Sequence, residues 1–494
     1  MSLALIQTRA SLGITAPSVT VEAHLSNGLP SLVIVGLPET AVKESRDRVR
    51  SALLNSQFNF PTRRITINLA PADLPKQGSR FDLAIALGIL AASQQIPQQA
   101  LDQYEFIGEL ALSGELRPVS GILPFTLAAK KADHAVILPE ENAQEASFSG
   151  HTRILPAKNL LAICAHLHQE TLLCAYNRAP MCSPPIFRYD FNEITGQAHA
   201  KRALEIAASG RHSLLLVGPP GTGKTMLANR LTSILPLLTE EEAIEAATIH
   251  SITQKEWKSN HWQYPSFRAP HHTASCAALV GGGRPPRPGE VSLAHRGVLF
   301  LDELPEFNQR ALESLREPLE SGRVTISRAA YQAEFPADFQ LVAAMNPCPC
   351  GYFGSQRQPC VCTPEQIKRY QRKLSGPFLD RVDMKITLQA ADKNFFDHTS
   401  LRENSATVRT RVNQARDRQY RTRGQLNCYL AGQALEKTCK LAETDRKLLE
   451  AAVEKLNLSL RALHRILRVA RTIADLADQD DIQTDYLMEA FNYR

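Results

Sequence analysis

Leu214–Thr225 reads LLLVGPPGTGKT, four apolar residues that run into a glycine-rich turn and then Lys224-Thr225. The run Leu214, Leu215, Leu216, Val217 has no polar alternation, which predicts a strand buried on both faces of a parallel sheet. The turn fits G-x-x-x-x-G-K-[ST], with Gly218 and Gly223 at the required places. Glycines let backbone N–H groups point inward around a phosphate, and the following helix adds the positive end of its dipole. Gly218, Pro219, Pro220, Gly221, Thr222, Gly223, Lys224 and Thr225 are therefore the expected ATP cradle. Lys224 is expected to reach the β- and γ-phosphates, and the Thr225 hydroxyl to hold Mg²⁺.

About 80 residues further on, Gly297–Glu303 (GVLFLDE) reads as a second buried strand that ends in two adjacent carboxylates. Asp302 is placed to hold Mg²⁺ through water, and Glu303 to take a proton from the attacking water. A third strand, Leu341–Met345, ends at Asn346, a polar group able to sense the γ-phosphate or orient that water. Pro377–Asp383 (PFLDRVD) offers Arg381 just before a fourth strand, Lys385–Leu388. Strands whose ends deliver polar groups to one phosphate site describe an α/β nucleoside-triphosphatase core.

The 494-residue length allows roughly three domains. A composition of 44% hydrophobic and 21% charged residues is that of an ordinary globular chain. No apolar run approaches the roughly 20 residues of a transmembrane helix. The start, MSLALIQTRASLGI, lacks a basic stretch before a long apolar one, so a cytoplasmic location without a signal peptide or membrane partner is expected. The formal charge of +6 permits nucleic-acid binding without arguing for it.

Residues 1–175 form the first expected domain, of α+β class. Ser18–His24 and Arg64–Leu69 alternate like half-buried strands, Leu32–Val35 reads as a short buried one, and Asp82–Ala92 and Pro124–Ala132 read as helices. Residues 176–190 carry three prolines and little periodicity, the signature of a linker. The ATPase core is expected over 191–390, opening with a helix at Gln197–Ser209. A helical lid follows over 391–494, with helices near Thr444–Lys455, Ser459–Asp478 and Thr484–Phe491. Thr407–Arg423 is a basic helix that Gly424 would end. Its arginines do not fall on one stripe and are read either as a solvated face or as a DNA or subunit contact.

Ten cysteines in so long a chain are no disulfide framework. Cys348, Cys350, Cys360 and Cys362 form C-x-C-x₉-C-x-C. Four thiolates so close in sequence either close a tetrahedral structural Zn²⁺ site or stand as free thiols in a packed turn.

Two N-terminal segments, Asp73–Asp82 (DLPKQGSRFD) and Gly108–Gly121 (GELALSGELRPVSG), resemble the proteolytic domain of Lon. The resemblance puts Arg80 where Lon carries its serine nucleophile and Leu123 where it carries the activating lysine. An arginine cannot attack a carbonyl and a leucine cannot accept a proton. A structural, DNA-contacting or ring-building module is expected in place of a peptidase.

The segments FRAPHHT (267–273), ALVGGG (278–283), PGEVSLAHRGVLFLDEL (288–304), NPCPCG (346–351) and SLRALHRILRVARTIADL (459–476) resemble the magnesium-chelatase-like branch of the AAA+ superfamily. Joined to the Lon-like N-terminal domain, they narrow the resemblance to the YifB/ComM family. This resemblance implies an AAA+ core with a parallel sheet and a C-terminal helical lid. It also implies a homo-hexameric helicase that uses ATP to drive branch migration of DNA during natural transformation, working beside recombination proteins. Arg381 then looks like an arginine finger that reaches a neighbouring subunit's site, and Arg461 like a second sensor. Two insertions should face the ring's pore. One is Phe267–His295, with its Gly281–Arg287 segment, and the other is Gly322–Pro336, a hairpin bearing Arg323 and Arg328. Loop arginines of this kind track a phosphate backbone or are simply solvated. The rival readings are a chelatase-type ATPase that remodels a protein partner and an ATP-gated scaffold.

Overall fold

The computed structural model describes residues 3–494 except 178–188, 254–261, 284–285, 329–330, 356–357, 390–402 and 457, together with all side chains but those of residues 40, 328, 331 and 456. Residues 178–188 of the expected linker 176–190 lie outside the described residues. Two compact units emerge, one of Met1–Ser183 with Glu241–Trp262 and one of Pro184–Glu240 with Gln263–Arg494. Among the described residues no helix is long and apolar enough to cross a membrane.

The first unit is α+β. Its strands are β1 (Leu3–Arg9), β2 (Ser18–Ser26), β3 (Ser31–Val35), β4 (Arg64–Ala70), β5 (Tyr104–Phe106), β6 (Ala135–Pro139) and β7 (Ile154–Ala157), in one mixed sheet ordered β3-β4-β2-β1-β5-β6-β7. Strict alternation on β2 and β4 turns Val19, Val21, Ala23, Ile65, Ile67 and Leu69 into the core. Helices α1 (Thr40–Asn55) and α2 (Asp82–Ala92) pack on that face, and every residue of α2 is buried, as its apolar run predicts. Leu32–Val35 departs from expectation. It lies in the edge strand β3, where Val33 and Val35 stay 41% and 40% exposed, because an edge strand has a neighbour on one side only. Helix α3 (Ile122–Lys131) begins two residues before its predicted start. The helix Glu240–Thr253, from the middle of the sequence, also docks here. Gly121 N–H donates to the Ser251 carbonyl (2.7 Å) and Leu123 N–H to Ser251 Oγ (3.2 Å).

The second unit holds a five-stranded sheet of β8 (Leu214–Val217), β9 (Phe267–Arg268), β10 (Val298–Leu301), β13 (Gln340–Met345) and β14 (Met384–Thr387), ordered β9-β10-β13-β8-β14 and parallel throughout. Between β10 and β13 the chain makes an antiparallel hairpin, β11 (Arg323–Arg328) and β12 (Tyr331–Pro336). β8 is buried on both faces, in keeping with its unbroken apolar run. Phe267 and Arg268 belong to the edge strand of this sheet rather than to a pore-facing insertion, since Phe267 pairs with Val298. The loop beyond them forms a short helix, Cys276–Val280, and a two-residue ribbon pairing Gly281–Gly282 with Arg287–Pro288.

One apolar core joins the sheet to α4 (Ala198–Gly210), α5 (Lys224–Ile234) and the C-terminal helices α6 (Ser405–Arg423), α7 (Glu443–Leu456), α8 (Leu460–Leu476) and α9 (Thr484–Phe491). The basic helix α6 ends at Gly424, whose φ of +69° and N–H bond to the Tyr420 carbonyl stop it as predicted. Its arginines are mostly spent inside the unit. Arg411 pairs with Glu205 (2.5 Å) and Glu403 (2.7 Å), Arg416 donates to the Ala208 carbonyl, Arg418 pairs with Asp478 and Asp480, and Arg423 pairs with Asp475 (2.6 Å). They clamp α6 to α4 and α8, which is neither of the two roles the sequence suggested.

Candidate nucleotide site

The phosphate loop leaves β8 and enters α5 through Gly223, whose φ of +82° is a left-handed conformation that a side chain would strain. Lys224 is the first residue of the helix. Its Nζ folds back to donate to the carbonyls of Gly218 (2.8 Å) and Pro219 (2.9 Å) and to Asn346 Oδ1 (3.0 Å). Because β8 and β13 are parallel neighbours with Val217 opposite Met345, the residue after β13 must emerge beside the loop. Gly218 N–H closes the junction by donating to the Met345 carbonyl (3.2 Å). Burial pushes the Lys224 ammonium pKa down, while Asp302 and Glu303 pull it partly back.

Thr225 Oγ1 donates to Asp302 Oδ2 at 2.6 Å, which brings the end of β10 to the first turn of α5. Glu303 follows with φ of +52°, a left-handed backbone that is costly away from glycine and is concentrated at working sites. Asp302 Oδ1 supports that turn by accepting from the Glu303 N–H (2.9 Å). The Glu303 carboxylate lies 3.3 Å from His272 Nδ1. Thr225, Asn229, His271, His272, Asp302 and Glu303 line one cavity of about 320 Å³. His272 lies in the FRAPHHT segment that carries the family resemblance, but no role for it follows from the sequence; its signal is that segment, just after the strand that flanks β10.

The structure thus brings Lys224, Thr225, Asp302, Glu303 and Asn346 together. Arg381 stands elsewhere. It precedes β14, and in the register Leu214 opposite Met384 this puts it at the N-terminal end of the sheet, away from the loop that leaves the C-terminal end of β8. Its side chain is 10% exposed and is held by Glu320 and by the Pro377 carbonyl (2.5 Å). Arg461 is exposed in the first turn of α8. Arg465 and Arg468 on the same helix donate to the carbonyls of Val382 (2.6 Å) and Leu430 (2.7 Å), so they hold the helix in place. Arg323 pairs with Glu334 across the β11–β12 hairpin (2.7 Å), and the Arg328 side chain lies outside the described residues.

Cys348, Cys350, Cys360 and Cys362 converge, with all four Sγ atoms within 4.8 Å of one another. Cys348 Sγ lies 3.3 Å from Cys350 Sγ and 3.7 Å from Cys360 Sγ. Four sulfurs each about 2.3 Å from a central Zn²⁺ would sit about 3.8 Å apart, so the cluster has the size and donor set to hold a metal ion. The N–H groups of Cys350 and Phe353 point at the sulfurs of Cys362 (3.4 Å) and Cys348 (3.3 Å), as suits thiolate acceptors.

In the first unit, Arg80 is buried and donates to the Ser120 carbonyl (2.9 Å), and desolvation pulls its pKa down to about 10. Leu123 is fully buried, and Ser79 Oγ donates to the Glu109 carboxylate.

A parallel sheet carrying a phosphate loop on one strand, paired carboxylates on another and an asparagine bonded to the loop lysine on the strand between them defines a P-loop nucleotide-binding core of AAA+ type. Family models sort it further. The model described as magnesium chelatase, subunit ChlI, matches residues 190–395, that of subunit ChlI of Mg-chelatase matches 21–142, and that of the ChlI C-terminal region matches 402–494. The chain is 51% identical to competence protein ComM of Haemophilus influenzae, over 100% of this chain and 98% of that protein. It is 50% identical to protein YifB of Salmonella typhimurium over 100% and 97%. Lon protease 2 of Bacillus subtilis is 27% identical over 41% of each chain. The chain belongs to the YifB/ComM family of magnesium-chelatase-like AAA+ ATPases.

Proposed function

We propose that the protein is an ATP-driven DNA motor, a hexameric ring that promotes branch migration of recombining strands in the cytoplasm. The observation that carries the ATPase half is the closed cluster in which Lys224 meets Asn346 and Thr225 meets Asp302. In the working site the loop N–H groups of Gly218–Thr225 and the Lys224 ammonium bind the triphosphate, and Thr225 and Asp302 hold Mg²⁺. The bound Mg²⁺ supplies neutralisation of phosphate charge. Glu303 accepts the proton of the attacking water, and Asn346 orients the γ-phosphate and the water.

Support for a ring comes from Arg381. At the end of the sheet away from its own phosphate loop, it serves hydrolysis only from a neighbouring subunit, after exchanging Glu320 for a phosphate oxygen. Arg461, exposed at the head of α8, is the second sensor in the same scheme. Support for DNA as substrate comes mainly from the full-length likeness to a competence protein, with Arg287 and the arginines of the β11 strand, Arg323 and Arg328, as minor support. With Arg80 and Leu123 at the dyad positions, the Lon-like domain serves assembly or DNA contact and not proteolysis. The four-cysteine cluster holds a structural Zn²⁺, for which a closed Cys₄ set is suited.

The test is ATP hydrolysis by the purified full-length chain with and without DNA. A several-fold stimulation by DNA, with hydrolysis abolished in Lys224→Ala, is expected. Hydrolysis that no DNA changes, from a protein that binds no DNA, would overturn the motor and leave a remodelling ATPase or scaffold.

A further inference from the structure

The cysteine cluster is built against the nucleotide site. Asn346, which accepts from Lys224 Nζ, is followed by Pro347 and then by Cys348, so the sensor and the first sulfur are separated by one residue. Between Cys350 and Phe353 the chain turns at Gly351, whose N–H donates to the Cys348 carbonyl (3.0 Å). Gly351 has φ of +86°, and a Cβ placed on it would lie 2.6 Å from Pro220 Cδ in the phosphate loop. The backbone of the cysteine turn therefore seats directly on Pro220. On its other side, Gln371 Nε2 donates to the Pro347 carbonyl (3.4 Å).

Among the described residues, this turn has no strand or helix of its own to fix it. Its first cysteine pair follows β13, its second precedes the helix Pro364–Gln371, and beside the Gln371–Pro347 bond it is the group of four sulfurs that ties the two together. We infer that a soft, tetrahedral metal ion of the Zn²⁺ class on Cys348, Cys350, Cys360 and Cys362 is the brace that sets Pro220 and Asn346, so that the grip on nucleoside triphosphate depends on that metal. The inference rests on the ATP site proposed above and adds a dependence that the phosphate loop alone would not have. Closing the four-sulfur site removes the freedom of the turn before ATP arrives, and a preorganised loop binds with less ordering cost. Cys348 to Cys362 thus act as positioning residues.

Metal content and affinity for a fluorescent ATP analogue would be measured together on the full-length protein in one Mg²⁺ buffer. The forms compared are wild type, wild type stripped with a chelator and dialysed, stripped protein given Zn²⁺ back, Cys362→Ser and Gly351→Ala. Wild type is expected to carry about one zinc per chain. Stripped protein and Cys362→Ser are expected to lose the metal and bind the analogue at least tenfold more weakly, with Zn²⁺ restoring the stripped form. Gly351→Ala keeps its four sulfurs, so it should retain zinc yet bind weakly through the clash with Pro220. Unchanged analogue affinity in both metal-free forms would overturn the brace while leaving the ATP site intact. A wild type that neither contains nor takes up metal would overturn it at its root. Zinc-loaded wild type that binds no analogue would instead count against the ATP-site reading.

Discussion

Thr225 Oγ1 donates to Asp302 Oδ2 at 2.6 Å, although 76 residues separate them in the chain. The pairing exists because β8 and β10 both lie against β13 in parallel register, which delivers the loop after one strand and the carboxylates after the other to the same edge of the sheet. Two oxygens so close can share one cation. Thr225→Ala and Asp302→Asn should each raise the Mg²⁺ concentration for half-maximal hydrolysis by about tenfold or more, measured by ATPase titration. An unchanged Mg²⁺ dependence in both would remove them from the metal site. Glu303→Gln should lower kcat by about 10²-fold or more while nucleotide binding persists.

Arg381 sits at the sheet end away from Lys224 of its own chain, paired with Glu320. Arg381→Ala should lower kcat by about 10³-fold. Mixing Arg381→Ala with Lys224→Ala subunits should then recover part of the hydrolysis, because a mixed ring contains sites with an intact lysine facing an intact arginine. No recovery at any ratio would show that the arginine does not act across subunits.

Glu145 in the first unit is buried, and desolvation pushes its carboxyl up to about 7, with Ser251 opposing as a hydrogen-bond partner. The folded state therefore holds this proton more tightly than the unfolded chain, whose carboxyl titrates near 4.5. The resulting stabilisation is complete below that lower value and is lost as pH rises through about 7. Glu145→Gln should accordingly melt higher than wild type at pH 8, by a few degrees, and show no such advantage at pH 4.5. The check is thermal unfolding at the two pH values. An equal difference at both would mean that ionisation of Glu145 is not the cause.

Most of the nucleotide site was legible because its residues sit at fixed offsets from strand ends. The apolar runs of β8, β10 and β13 announce themselves, and Lys224, Asp302 and Asn346 follow from where those runs stop. The segment holding His272 carries the family resemblance, but its place beside Glu303 was not legible, because the two-residue strand before it is too short to leave a periodic signal. The arginines of α6 were misread for a different reason. Charge patterning along a helix says nothing about carboxylates brought up by α4 and α8, such as Glu205 and the buried Asp475, which accepts from Arg423 and Arg471. The exposure of Val33 and Val35 likewise depended on strand order, which an apolar run does not encode. The docking of Glu240–Thr253 on the first unit is a tertiary choice of a helix whose sequence lies between α5 and β9.

The motor is tested most directly by following a labelled four-strand DNA junction, in Mg²⁺ and ATP, as the full-length protein acts on it. Wild type should convert the junction to two duplex products, and neither Lys224→Ala nor Glu303→Gln should do so. A wild type that hydrolyses ATP normally yet leaves the junction unbound and unmoved would contradict it.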